Sequence, residues 1–295
     1  MSTSFWARLD DLMWLSSTGN DAVAWWQGQT TQDVAAWSVG QVGSTCLVTP
    51  TGQLAAIVRG QRTERGFHWV TEAAEVLLER VRDFVILEDV NLTVSGVGGV
   101  TIQGPLAEEW MEQQGVTGDA GPLPFGGYAI RQRRCAFGGW DLVGVGDPEE
   151  LPVLLPGDEV EPEDVFAAML RAGIPQFGVD THDKLLPPEL GPEFEREHIS
   201  YNKGCYTGQE VLQRLHSRGH TNRTWVQIQL RGPVLISEPV MSEQNERIGS
   251  MTQLAPMPDD TLLAGAFLKN DYAMVGTPVR VADQLGEVIS PESRP

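Results

Sequence analysis

Near residues 218–224 the apolar side chains change period, and that change limits the fold more than any other feature of the chain. Downstream, Val226, Ile228 and Leu230 alternate with Gln227, Gln229 and Arg231, the two-residue repeat of a half-buried strand. No helical period follows. Short apolar runs at 248–254, 262–268 and 278–281 are separated by Gly, Pro, Asn and Asp. The spacing predicts a small antiparallel barrel or sandwich over 222–295, set apart from whatever 1–218 builds.

Upstream the periods mix. Leu9, Leu12, Met13 and Leu15 recur at helical spacing, predicting a short helix before Gly19-Asn20 and a second from near Asp21. Segments 44–59 and 66–71 read as strands, with Pro50-Thr51-Gly52 as the hairpin turn, and Val76, Leu77, Arg80 and Val81 place a helix over 72–82. Segments 90–94 and 100–102 look extended, Gly104-Pro105 opens a helix over 106–114, and 123–145 is strand-like. Pro162 begins a helix ending at Gly173, whereas 180–198, with Pro187-Pro188 and no dominant period, reads as a long ordered loop. Helices and strands interleaved in this way make an α+β pattern, and similar units on either side of residue 115 suggest a diverged duplication.

A chain of 295 residues exceeds what one core usually carries. Its 40 acidic and 21 basic side chains leave −19, which excludes generic coating of nucleic acid or anionic membranes, so neither is an expected partner. Arg8, Asp10 and Asp11 interrupt the first fifteen residues, unlike a signal peptide, and the apolar run at 262–268 falls far short of the roughly 20 residues of a membrane span. A cytoplasmic location is expected. Cys46, Cys135 and Cys205 are odd in number and widely spread, which fits a reducing compartment.

The chemistry concentrates in Lys203-Gly204-Cys205-Tyr206-Thr207-Gly208-Gln209-Glu210, a loop opening a helix on which Val211, Leu212 and Leu215 follow at helical spacing. Thr207 and Glu210, three apart, match a capping box. Glu210, Arg214 and Arg218 share one helical face. Cys205, beside Lys203 and just before the helix, has two readings that spacing leaves open: a reactive thiolate or a small buried hydrophobe. Lys203, Arg214, Arg218 and Arg223 face Glu210 alone between 198 and 223, a local basic patch suited to a multiply charged small anion or to salt bridges with acidic 189–197. His198, His216 and His220 complete no metal set. Gly96-Val97-Gly98-Gly99 and Gly144-Val145-Gly146 lack the pattern of a dinucleotide loop and read as turns, and no Gly-x-Ser-x-Gly elbow or Cys-x-x-Cys pair exists.

The octet, with Arg218-Gly219 and Arg223 after it, resembles the signature of the folate-binding YgfZ-type proteins, relatives of the glycine cleavage T-protein. Trp26-Gln27-Gly28-Gln29-Thr30-Thr31-Gln32-Asp33-Val34, Gly173-Ile174-Pro175, the Pro187-Pro188-Glu189 region and the closing β-rich domain resemble the family too. The resemblance implies two interleaved α+β subdomains and a C-terminal antiparallel β-barrel around a central channel that holds tetrahydrofolate, with the 203–210 loop beside it. It also implies a role in making or repairing iron–sulfur clusters in client enzymes, including those that modify tRNA. Cys205 would be the reactive thiol, a thiolate close to the bound folate. Lys203, Tyr206, Gln209, Glu210, Glu189, Arg214 and Arg218 would be the cofactor-binding residues, with Lys203, Arg214 or Arg218 neutralising the cofactor's carboxylates. The aminomethyltransferase relatives carry an acidic pair after a Gly in an early hairpin; Gly52-Gln53-Leu54-Ala55-Ala56-Ile57-Val58 carries none, which disfavours aminomethyl transfer. A folate-dependent one-carbon transferase would then need Glu189 or Asp180 as base. A third reading is a folate-free module whose basic patch docks an acidic partner.

Overall fold

The computed structural model describes residues 3–182 and 184–291; the remaining residues of the two expected units, 1–2, 183 and 292–295, lie outside the described residues. The chain opens with β1 (Phe5–Thr18), α1 (Ala22–Gln29), the meander β2 (Val42–Val48), β3 (Leu54–Thr63) and β4 (Gly66–Thr71), and α2 (Ala74–Phe84). The succession then recurs: β5 (Asn91–Gln103), α3 (Leu106–Gln113), β6 (Ala120–Pro122), β7 (Tyr128–Arg131), β8 (Gly139–Val143), the short β9 (Asp158–Glu159) and α4 (Pro162–Arg171). These strands form one nine-stranded sheet in the order β2-β3-β4-β1-β5-β8-β7-β6, with β9 added parallel to β1.

That order is symmetric. Each half places its first strand at the central β1–β5 seam, its last meander strand next, and its earliest meander strand at the rim. The duplication is therefore real in the topology, but its joint falls between α2 and β5, not at residue 115. Each half of the sheet carries its own hydrophobic cluster, one around Trp26, Trp69 and Leu77, the other around Trp110, Trp140 and Leu142. Tryptophan fills the core in both halves.

Two local expectations fail for identifiable reasons. The stretch around Leu9–Leu15 is strand, not helix: the β1–β5 register slips between Leu9 and Met13, so a bulge breaks the two-residue alternation and leaves apolar side chains at spacings that imitate a helix. Gly96–Gly99 lies within β5 instead of a turn. A Cβ on Gly99 would stand 2.0 Å from the Leu142 carbonyl oxygen, so the glycine lets β5 and β8 approach.

The connection 180–198 contains a 3-10 turn at Pro187–Leu190 and α5 (Pro192–His198), a helix whose seven residues are too few to declare a period. After α6 (Gln209–Arg218) come β10 (Arg223–Leu230), β11 (Pro239–Met241), β12 (Arg247–Pro256), β13 (Leu262–Lys269), β14 (Pro278–Val281) and β15 (Gln284–Ile289). They close into a barrel, β10-β13-β12-β11-β14-β15, around Ile228, Leu230, Val240, Leu268 and Val281. Closure leaves no free strand edge, which decides between barrel and sandwich.

Candidate functional site

Where the two halves of the sheet meet the barrel, a cavity of about 1150 Å³ opens. β1 contributes Met13, β3 contributes Ile57 and Arg59, α4 contributes Phe166 and Met169, and β10 contributes Gln227. Its charges are balanced: Arg8, Arg59, Arg131, Arg133 and Arg134 line it, as do Asp10, Asp11, Glu72, Glu193 and Glu197. Arg134, almost wholly buried, is locked by Asp141 (2.8 Å) and Glu72 (3.0 Å). Arg59 donates to the Arg131 carbonyl at 2.9 Å and to Ser44 Oγ at 2.8 Å, with Glu197 Oε1 at 3.6 Å. These arginines stand in fixed geometry. None of them is among the site residues expected from sequence, although Arg131-Gln132-Arg133-Arg134, a basic run in an acidic chain, was a signal available to be read.

The signature loop stands one layer behind this wall. Lys203 is buried, and its Nζ donates to three backbone carbonyls, those of Gln27 (2.6 Å), Thr30 (2.7 Å) and Gln32 (2.8 Å). All three ammonium protons are thereby used. Burial pushes its pKa down to about 7, with Asp33 opposing the shift. The segment it pins reaches the cavity wall in turn: Thr31 Oγ1 donates to the His198 carbonyl at 2.6 Å and Gln32 Nε2 to the Glu197 carbonyl at 2.9 Å, and both Glu197 and His198 line the cavity. Lys203 thus holds the wall and has no proton left for a ligand carboxylate. The two sequence stretches carrying the resemblance are in contact for this reason.

The rest of the octet departs from the capping expectation. Gly208, at φ 80°, is the residue before α6, and no side chain caps it, so the Thr207–Glu210 box does not form. The left-handed turn carries Thr207 away to Gln29, 3.5 Å from its Oγ1, while Gln209 Oε1 reaches back to accept from the Tyr206 N–H at 3.3 Å. Tyr206 is buried under Lys203, whose Nζ lies 4.9 Å above its ring, and burial pushes the phenol up to about 12. Cys205 is exposed, which removes the buried-hydrophobe alternative. Glu210, Arg214 and Arg218 are exposed on α6, and none of the expected site residues is in the cavity wall.

Glu189 and Asp180 are tied into the junction with the barrel. Glu189 accepts from Arg223 Nε at 3.1 Å and Nη2 at 3.2 Å, and from the Leu186 N–H. Asp180 accepts from the Gln176 N–H (2.7 Å), Trp225 Nε1 (2.9 Å), Gln253 Nε2 (2.6 Å) and the Thr252 hydroxyl. Burial raises its pKa while these four donors oppose the rise. Neither carboxylate is disposed to serve as a general base. Among the described residues no group of His, Cys, Asp and Glu is arranged to hold a metal ion, and no helix is long and apolar enough to cross a membrane.

No family model matches the chain. Over 135 residues it is 28% identical to the tRNA-modifying protein YgfZ of Yersinia enterocolitica, covering 44% of this chain and 40% of that protein. Over 111 residues it is 31% identical to the mitochondrial iron-sulfur cluster assembly factor IBA57 of Mus musculus, covering 36% and 29%. The chain thus spans less than half the length of the curated relatives it matches. The crystal structure of the glycine cleavage system aminomethyltransferase T from Bartonella henselae matches with a TM-score of 0.82 over 98% of this chain and 85% of that one, at 16% identity, which shows a shared fold.

Proposed function

The chain belongs to the YgfZ-type family, related to the glycine cleavage aminomethyltransferase, and from that premise we propose that it is a tetrahydrofolate-binding accessory protein for assembling or repairing iron–sulfur clusters in client enzymes, tRNA-modifying ones among them. The cavity is the observation that carries this reading. Its volume of about 1150 Å³ suits an organic cofactor, since such sites run to roughly 1,000 Å³. A reduced folate has a flat heterocycle with N–H donors, an apolar linking ring and a tail of carboxylates. Phe166, Phe177 and Met169 offer apolar wall to the linking ring, and Arg8, Arg59 and Arg133 offer countercharge to the tail.

When bound, the folate supplies one-carbon chemistry; the chain's own residues orient it and keep water from it. A transferase reading finds less support, because Ile57 on the early hairpin presents a hydrocarbon to the cavity and both candidate bases are occupied. The exposed Cys205, outside the cavity wall, is the thiol we assign to the encounter with a client protein. All three cysteines are free, which suits work in the reducing cytoplasm.

Native mass spectrometry after anaerobic incubation with tetrahydrofolate is expected to show one folate per chain, and the wild-type gene, but not Cys205→Ser, is expected to restore a cluster-dependent enzyme in a deletion strain. Protein carrying no folate at high micromolar ligand would overturn the cofactor half. Full rescue by Cys205→Ser would overturn the thiol half.

A further inference from the structure

The nine-stranded sheet protects its edges in several places. β2, at one rim, is buried from Ser44 to Val48, and β6, at the other, is short and ends in Pro122. At the seam, β1 runs on past the end of β4, and its first residues, Phe5 and Trp6, pair in parallel with β9. The Asp158 and Val160 N–H groups donate there to the carbonyls of Ser4 (3.3 Å) and Trp6 (2.9 Å).

β5 has the matching place in the second half, and it is open. β4 ends opposite Met13 on β1 and β8 ends opposite Gly99 on β5, so each first strand keeps an N-terminal stretch that its own meander does not cover. On β5 the last bond from that side runs from the Gly144 N–H to the Gly98 carbonyl (2.8 Å), and Gly144 packs on Gly96 as the chain turns away. Among the described residues no strand and no loop backbone pairs with the outer edge of 91–95. Residues 91–98 contain no charged side chain and no proline. Val94 and Val97 are 45% and 58% exposed, and Thr93 and Ser95 are exposed as well. Sheets avoid an uncharged, β-branched edge in solvent, because it is a template for another strand.

We propose that 91–97 of β5 is a docking edge for an extended segment of a partner protein, which adds as a further strand and carries uncharged β-branched residues at its centre and Lys or Arg at both ends. Charge sets the ends. Beside Asn91, the exposed Asp21, Glu88 and Asp89 outnumber Arg65, and opposite Gly98 the β1 bulge exposes Asp10 and Asp11. The same acids oppose a second copy of this chain: edge pairing about a two-fold axis is antiparallel and brings Glu88 and Asp89 toward Asp10 and Asp11 of the copy. β9 is the precedent within the fold, a short added strand whose Glu159 stands 3.9 Å from Arg8. The docking edge does not depend on what fills the cavity.

The probe is the capped peptide KTVTVTK, titrated into isotope-labelled full-length protein and followed by amide NMR. Saturable shifts centred on 91–97 are expected, with a Kd below about 1 mM. Two forms of the peptide, N-methylated at alternate backbone nitrogens in the two possible phases, test strand addition: only one edge of the guest faces β5, so one form is expected to bind like the parent and the other about tenfold or more weaker. The peptide ETVTVTE, and the variant Val94→Lys against KTVTVTK, are each expected to lose about tenfold, with the urea midpoint of the variant unchanged. No shift at 91–97 at millimolar peptide, or equal binding by both methylated forms, would overturn the proposal. Shifts at 91–97 that grow with protein concentration alone would assign the edge to a second copy and overturn it too.

Discussion

His198 is buried with its ring stacked on Phe194, centroids 3.9 Å apart, and its Nδ1 donates to the Phe194 carbonyl at 2.9 Å. Burial holds its pKa below the ordinary 6.5, and burial does the same to His68. A histidine held neutral in the fold takes up its proton only on unfolding. The unfolded chain therefore binds more protons below pH 6.5, and stability, complete above that pH, falls as the solution is acidified. Each such histidine therefore removes stability as the pH falls below 6.5. Urea midpoints of the wild type are expected to drop between pH 7.5 and 5.5, and to drop less in His198→Gln, which cannot titrate; equal drops would contradict this account of the residue. Lys203 shows what the sequence can and cannot say at this scale. A lysine beside a glycine and two residues from a cysteine reads as a cation awaiting an anion. Its burial and its three carbonyl partners depend on Gln27, Thr30 and Gln32, more than 170 positions away, and no local pattern announces them.

α6 depends on Gly208 in a way that neither propensity nor capping rules convey. A Cβ at Gly208 would stand 2.4 Å from the Thr49 carbonyl oxygen and 3.2 Å from Gly52 Cα, so the helix begins against the turn joining β2 and β3. Gly208→Ala combines a left-handed backbone with that clash and is expected to cost about 2 kcal/mol or more, read as a lowered urea midpoint with an unchanged slope. Thr207 and Glu210 were a plausible capping box because the box is a local pattern; the tertiary contact at Gly208 overrides it. β3 was legible for the same reason, since a two-residue period is a local pattern and its positions alternate buried and half-buried from Leu54 through Gly60. β1 was not, because its bulge sits where the strand crosses the seam between the halves.

At the scale of the whole molecule, the site is made by topology. Duplicated halves and a closed barrel surround a cavity whose arginines, Arg8, Arg59 and Arg134, come from separate strands and loops. The octet and the early Gln-rich stretch pointed to the right kind of protein, yet the residues they contain support the wall instead of lining it. Spacing along the chain cannot reveal which side of a strand faces a space that three bodies enclose together. We propose that this cavity, and not the 203–210 loop behind its wall, holds the folate. Titration calorimetry with 5-formyltetrahydrofolate on wild type, Cys205→Ser and the cavity-filling Ile57→Trp tests it most directly. Wild type and Cys205→Ser are expected to bind alike, with Ile57→Trp, still cooperatively folded, weakened by about tenfold or more. Undiminished binding by Ile57→Trp together with loss of binding in Cys205→Ser would contradict it.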